Sequence, residues 1–196
     1  MRICVYGASS SVLDEKYMEG GYALGRAMAE AGHGLVFGGG DSGLMGAVAR
    51  GVKEHGGQVI GVAPSFFNVD GVLYQTCDEM IYTETMRERK QKMEDLSDAF
   101  VMSPGGIGTF EEFFEILTAR QLGLHRKAIA ILNTAGYFDE LIVFLRKAAA
   151  ERFMTEAALN LFGVFSDPAE LVVYLETYEP TFEGVANYKV IKEEAK

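Results

Sequence analysis

Short apolar runs along the chain alternate with longer segments in which apolar residues recur at helical spacing. The first run, Arg2–Tyr6, ends at the turn 7–11, and helical periodicity follows over 14–31. Short apolar runs bounded by turns are typical of buried strands, and longer periodic segments are typical of amphipathic helices. The same alternation predicts further strands at 35–37, 59–62, 80–82, 99–102, 128–132 and 164–165. It predicts further helices at 44–55, 86–96, 110–122, 138–151 and 169–177.

This repeated order of strand, turn and helix predicts the fold class. Six or seven such units indicate right-handed crossovers and a mostly parallel sheet of six to seven strands, flanked by helices on both faces. The sequence therefore predicts a single doubly wound α/β domain over residues 1–180, followed by a polar C-terminal tail at 181–196. In such sheets ligands bind beyond the carboxyl ends of the strands. That rule directs attention to the loops 7–11, 38–46 and 103–112.

Composition and charge narrow the function classes. The chain has 196 residues, of which 48% are hydrophobic and 23% charged, so its core needs no disulfide or metal to fold. The net charge of −10 argues against attraction to nucleic acid or to an anionic membrane. A small anionic ligand stays possible, because a few local donors can outweigh the overall field.

Targeting signals and metal-ligand patterns are not recognised in the sequence. The N-terminal sequence MRICVYGASS is unlike a signal or transit peptide, and no apolar stretch approaches the roughly 18 residues that span a bilayer. We therefore expect a cytoplasmic protein. Two cysteines and three isolated histidines predict neither a disulfide framework nor a metal site.

The strongest candidate for chemistry is the segment 104–112, with the sequence PGGIGTFEE. Glycines between a strand and a helix let backbone amides point at a ligand near the positive end of the helix, which favours phosphate. Thr109 adds a hydroxyl donor, and Glu112 is expected to face the same crevice. Taken alone, the segment also fits a tight turn whose acidic residues offset the helix dipole. It matches neither a dinucleotide fingerprint nor a Walker A loop, which disfavours hydride transfer and NTP hydrolysis.

Two further segments have more than one interpretation. The loop 38–46 has four glycines in its first six positions, and this density favours close approach by another molecule over a simple flexible turn. The charged run 85–93 is typical of a solvated helix face. Because Arg87 and Arg89 lie on different sides of such a helix, only one of them can point into the crevice.

Together these segments resemble the LONELY GUY (LOG) family, many of whose members carry an older lysine decarboxylase label. The match rests on 86–90 (MRERK) followed by 104–112. Supporting matches are GASS at 7–10, GGG at 38–40, GLMG at 43–46 and QLGLH at 121–125. The similarity runs in order from residue 2 to about residue 175, which is nearly the whole chain.

The resemblance implies a homodimeric, Rossmann-like enzyme. Such an enzyme hydrolyses the N-glycosidic bond of cytokinin riboside 5′-monophosphates to the free base and ribose 5-phosphate, and AMP is a further expected substrate. No metal or organic cofactor is implied. Matched by position, Arg89 and Glu112 are the expected catalytic pair. The expected substrate-binding and phosphate-binding residues are Ser9, Gly39, Gly40, Met45, Lys90, Gly105, Gly106, Ile107, Gly108, Thr109, Glu111 and Thr118.

The expected chemistry also fits the residues themselves. Cleavage of a glycosidic bond passes through a transition state with positive charge at the anomeric carbon, which a carboxylate stabilises. Segment 64–78 differs from the plant members and is expected to border the base pocket. Two alternatives stay open: a non-catalytic nucleotide-binding or carrier protein on the same fold, and an AMP nucleosidase of purine salvage. The decarboxylase label has no chemical support, because no lysine stands in a recognisable pyridoxal-phosphate context.

Overall fold

The computed structural model describes residues 1–180, so the predicted tail at 181–196 lies outside the described residues. The strands are β1 (Arg2–Tyr6), β2 (Gly34–Phe37), β3 (Val59–Pro64), β4 (Glu79–Thr83), β5 (Ala99–Met102), β6 (Ala128–Leu132) and β7 (Gly163–Phe165). The α-helices are α1 (Glu15–Glu30), α2 (Gly43–Glu54), α3 (Met86–Leu96), α4 (Ile107–Gln121), α5 (Asp139–Ala150) and α6 (Pro168–Thr177). Short 3-10 helices occupy Ser65–Phe67, Thr134–Gly136 and Glu156–Leu161.

The seven strands form one parallel sheet in the order β4-β3-β2-β1-β5-β6-β7. After β4 the chain crosses to the other side of β1, so the strand order reverses between β1 and β5. Tyr6 at the end of β1 is in register with Met102 at the end of β5. The loops that follow these two strands therefore begin side by side. The predicted doubly wound α/β fold is confirmed.

Side chains of each strand alternate between two core layers, as the pleat requires. In β1, Ile3 and Val5 face the layer that contains α1, α2 and α6. Cys4 and Tyr6 face the opposite layer, which contains α3, α4 and α5. Because α3 and α4 lie on the same face and both contact β1, their N-terminal halves meet near the carboxyl end of that strand.

Most predicted boundaries agree with the structure within two residues, and α4 is the exception. This helix begins at Ile107, three residues before the predicted start, so part of the glycine-rich segment forms its first turn. The usual sign of a helix start in a sequence is a Ser, Thr, Asp or Asn whose side chain caps the first turn. Here Gly106 caps the helix without a side-chain hydrogen bond, so the start was predicted too late. Within residues 1–180 no helix is long and apolar enough to cross a membrane.

Candidate active site

Hydrogen bonds join the three predicted loops at the switch in strand order. The amide of Ala8 donates to the carbonyl of Pro104 at 3.1 Å, and the amide of Met45 donates to the carbonyl of Ala8 at 3.1 Å. The Ser103 hydroxyl donates to the carbonyl of Tyr6 at 2.7 Å. These bonds fix the loops around a cavity of about 660 Å³. The location is the one that doubly wound sheets favour for ligands.

Eight of the predicted site residues line this cavity. They are Ser9, Gly40, Met45, Arg89, Gly106, Gly108, Thr109 and Glu112. They come from the loops after β1, β2 and β5, from the start of α2, from α3 and from the first two turns of α4. Residues far apart in sequence therefore share one cavity wall.

The central feature of the wall is an ion pair between α3 and α4. The Nη1 atom of Arg89 lies 2.7 Å from Oε1 of Glu112, and both side chains are largely buried. The Nε of Arg89 also donates to the carbonyl of Val62 at 3.1 Å. This second hydrogen bond restrains the orientation of the guanidinium group. A Cβ atom at Gly38 would lie 2.1 Å from Nη2 of Arg89, so only glycine leaves room for the arginine. The glycine-rich loop thus has a defined structural use.

Burial and charge act in opposite directions on Glu112. Burial raises the pKa of Glu112 above its ordinary value of 4.5, and the neighbouring Arg89 guanidinium lowers it, with burial the larger effect. The carboxyl is therefore protonated at a higher pH than an exposed glutamate. Above that pH it presents a negative charge to the cavity from a partly dehydrated position, where electrostatic effects on a ligand are strong.

The N-terminus of α4 presents unpaired backbone donors to the same cavity. First-turn amides have no partner within a helix, and no side chain caps them here. Thr109 is buried beside them and packs on Gly105 so closely that a Cβ at that glycine would lie 2.1 Å from Oγ1 of Thr109. Amides at the positive end of a helix favour an anion, and a phosphate group fits this arrangement.

Three of the remaining predicted residues lie away from the cavity, on the outer side of α3 and α4. The ammonium of Lys90 pairs with Glu111, and it lies 2.6 Å from Glu115. Lys90 and Glu111 line a separate cleft of about 420 Å³, which Glu112 also borders. Thr118 is exposed about three turns along α4. The substrate contacts that the resemblance implies for these residues stay predictions.

Gly39, Gly105 and Ile107 support the cavity without lining it. Gly39 has φ +79°, a conformation that suits glycine, and its carbonyl accepts the amide of Tyr74 at 2.8 Å. Ile107 is 87% exposed. The side chain of this isoleucine therefore points to solvent, and a ligand in the cavity would meet only its backbone.

Part of the irregular segment 64–78 forms an apolar wall of the cavity. Phe67, Gly71, Val72 and Leu73 line it, and Leu73 pairs with Gly40 in an isolated antiparallel bridge. Part of the segment therefore borders the cavity, and the expectation that it borders the base pocket stays a prediction. No local pattern in the sequence indicates the bridge, because the two residues are far apart along the chain and the segment lacks periodicity.

Comparison with known proteins gives one consistent family match. The sequence model of the family described as "Possible lysine decarboxylase" matches residues 45–175. Cytokinin riboside 5′-monophosphate phosphoribohydrolase LOG7 of Arabidopsis thaliana is 39% identical over 186 residues, covering 95% of this chain and 86% of its own. The enzyme LOG of Oryza sativa subsp. japonica, which has the same activity name, is 38% identical over 93% of this chain and 75% of its own.

Solved structures with the same fold include proteins named for another ligand. The Moco carrier protein from Chlamydomonas reinhardtii is 26% identical with a TM-score of 0.69, covering 89% of this chain and 94% of its own. The molybdenum cofactor binding protein from Rippkaea orientalis is 22% identical with a TM-score of 0.69, covering 90% of this chain and 95% of its own. The second likeness concerns the fold alone.

Proposed function

Since the chain belongs to the LONELY GUY (LOG) family, we propose that it is an N-glycosyl hydrolase of nucleoside 5′-monophosphates. Relatives that are 36–41% identical are named cytokinin riboside 5′-monophosphate phosphoribohydrolases, which supports release of the base from cytokinin ribotides. Cleavage of AMP extends the proposal to the unmodified base. The observation that carries it is the buried Arg89–Glu112 pair beside the uncapped N-terminus of α4.

The proposed mechanism gives each part of the cavity one task. The 5′-phosphate binds at the first turn of α4, and this remote contact orients the ribose. Glu112 stabilises the positive charge that develops at the anomeric carbon, or it positions the attacking water. Arg89 holds Glu112 ionised and in place, and its remaining N–H groups bind the ribose or assist departure of the base.

The apolar wall supports a base that carries a hydrophobic substituent. Phe67, Val72 and Leu73 line the cavity together with Met45 and Met86. Met86 and Phe67 are each 41% exposed, so a bound apolar group would cover surface that water otherwise contacts. Burial of such surface favours binding by about 25 cal/mol per Å². This wall supports N6-modified adenine ribotides as substrates alongside AMP.

A carrier protein on the same fold is the second candidate. The fold likeness to the Moco carrier protein of Chlamydomonas reinhardtii supports it, since fold alone does not separate binding from catalysis. Decarboxylation of lysine has no comparable support, because no lysine lines the cavity in the described part of the chain. Pyridoxal-phosphate chemistry requires such a lysine.

One assay separates the enzyme from the carrier. The protein is incubated with AMP and with isopentenyladenosine monophosphate, and chromatography measures the free base. The proposed function predicts release of adenine or isopentenyladenine with equal amounts of ribose 5-phosphate. Recovery of both nucleotides intact would support the carrier. Release from only one nucleotide would identify the preferred base.

Replacement of two neighbouring arginines tests which face of α3 serves the site. Arg89→Ala is expected to lower kcat/KM by at least about tenfold, because it removes a charged partner of Glu112 inside the cavity. Arg87→Ala is the matched control, since Arg87 is exposed and lines only the outer cleft. Kinetics on both variants with AMP measure the difference. Equal losses would mean that the ion pair is not the reactive centre.

The proposal includes a homodimer. Phe113, Ile116 and Leu117 are buried within one chain, so these residues are not free to form an interface. Val143 and Phe144 on α5 are 64% and 63% exposed, and they are the apolar surface that a two-fold contact would cover. Light scattering in the micromolar range is expected to give twice the mass of the chain. A single-chain mass throughout that range would contradict the dimer.

A further inference from the structure

Tyr137 lies outside the cavity, yet it contacts the loop that forms one cavity wall. Its hydroxyl donates a hydrogen bond of 2.7 Å to the carbonyl of Gly105, 32 residues earlier in the chain. Gly105 precedes Gly106, the residue that caps α4 and lines the cavity. The tyrosine therefore holds the far side of the peptide that joins these two glycines.

The turn after β6 keeps the phenol in a fixed position. The Asn133 side chain accepts the amide of Phe138 at 2.7 Å and donates to Asp139 at 2.7 Å. The Tyr137 ring packs edge-on against Tyr17 of α1, with ring centroids 5.6 Å apart, and against Phe138, with ring centroids 4.9 Å apart. These two ring contacts restrict the rotation of the ring, so the hydroxyl is a preorganised donor.

The geometry of a trans peptide makes this bond relevant to the ligand. The carbonyl and the following amide point in opposite directions, and no cis peptide occurs in the described residues. When Tyr137 holds the carbonyl of Gly105 outside the cavity, the amide of Gly106 is directed to the opposite side, where the cavity lies. Two adjacent glycines restrain this peptide only weakly, because neither has a Cβ. An external hydrogen bond is needed to select one orientation.

We infer that Tyr137 is a positioning residue for recognition of the 5′-phosphate, acting through the Gly105–Gly106 peptide. It touches neither the substrate nor the reacting bond. Its effect is to keep one amide donor of the phosphate loop turned toward the ligand before the ligand arrives. This inference rests on the proposed function for the identity of the anion.

The test compares binding of the two products by calorimetry, ribose 5-phosphate with the phosphate and adenine without it. Tyr137→Phe keeps the ring and removes the hydroxyl. The Kd for ribose 5-phosphate is expected to rise about five- to tenfold, the scale of one hydrogen bond, while the Kd for adenine stays at the wild-type value. With AMP as substrate, KM is expected to rise similarly and kcat to stay close to the wild-type value.

Tyr17→Phe is the matched control, because it removes a hydroxyl from the adjacent ring without touching Gly105, and it should change neither constant. Equal weakening of both products, an unchanged Kd for ribose 5-phosphate, or a fall in kcat alone would each overturn the inference. A lower melting temperature with no selective effect on the phosphate ligand would also overturn it. Wild-type protein that binds ribose 5-phosphate but cleaves neither monophosphate would refute the proposed function and leave the binding test of Tyr137 intact.

Discussion

Glu112→Gln is expected to lower the rate of base release by at least about a hundredfold while AMP still binds. The substitution keeps the size of the side chain and an oxygen that can accept from Arg89, so the buried guanidinium keeps a hydrogen-bond partner. It removes the negative charge that stabilises the positive anomeric centre. Single-turnover measurement of adenine release gives the rate, and calorimetry with AMP gives the affinity.

The choice of glutamine matters because the ion pair is buried. Removal of one partner of such a pair leaves an unpaired charge and costs about 3–5 kcal/mol of stability. An alanine at position 112 could therefore lose activity through unfolding. Glu115→Gln is the matched control, since this exposed carboxylate lies one turn further along α4 and pairs with Lys90. Its turnover is expected to match that of the wild type.

The pH dependence of the wild-type enzyme tests the same charge. In the proposed mechanism the ionised form of Glu112 is the active one, so activity is expected to fall as the pH drops through the pKa of this carboxyl. Because burial raises that pKa, the acid limb of kcat/KM is expected above the ordinary glutamate value of 4.5. Near-wild-type turnover by Glu112→Gln, or an acid limb below pH 4.5, would remove Glu112 from its catalytic role.

The fold was predictable because the hydrophobic pattern is strong in every unit. Strands such as β1, β5 and β6 have the predicted bounds, since each is a continuous apolar run that glycine, aspartate or a charged pair interrupts. Nearly every side chain of the central strands is buried in one of the two core layers, so the apolar run alone determines where each strand begins and ends. The start of α4 was less predictable, because its first turn contains Gly108 between two β-branched residues, and these residue types have lower helix propensity than alanine or leucine.

The site was predictable in its components and less so in its contacts. The sequence indicates Arg89 and Glu112 separately, yet 23 positions and the strand β5 separate them, so no local periodicity reveals their ion pair. The density of glycines at 38–46 predicted close approach by another molecule. At Gly38 the approaching group is the guanidinium of Arg89 from the same chain.

Lys90 illustrates how a one-residue step along a helix changes the environment of a side chain. It follows Arg89 directly, but one residue is about 100° around the helix axis. Arg89 therefore faces the cavity, while Lys90 reaches across the outer side to Glu111 and Glu115. The two ion-paired sets lie side by side and join α3 to α4 at the level of the Arg89–Glu112 pair. This arrangement holds the helices in register whether or not Lys90 also meets the substrate.

From the geometry at the start of α4 we expect a requirement for the 5′-phosphate, with AMP cleaved and adenosine hardly cleaved. Gly106, Gly108 and Thr109 line the cavity where first-turn amides lack partners. Hydrogen bonds to a charged group contribute roughly 1.5–3 kcal/mol each, so several together imply a preference of at least about a hundredfold in kcat/KM.

ADP and ATP are expected to be poor substrates, because a loop closed around one terminal phosphate leaves little room for another. The measurement compares adenosine, AMP, ADP and ATP at equal concentrations. Adenosine supplies no anion to these amides, which then keep their water, and its ribose is left without an anchor beside Glu112. Comparable rates for adenosine and AMP would mean that the glycine-rich segment serves only as a turn.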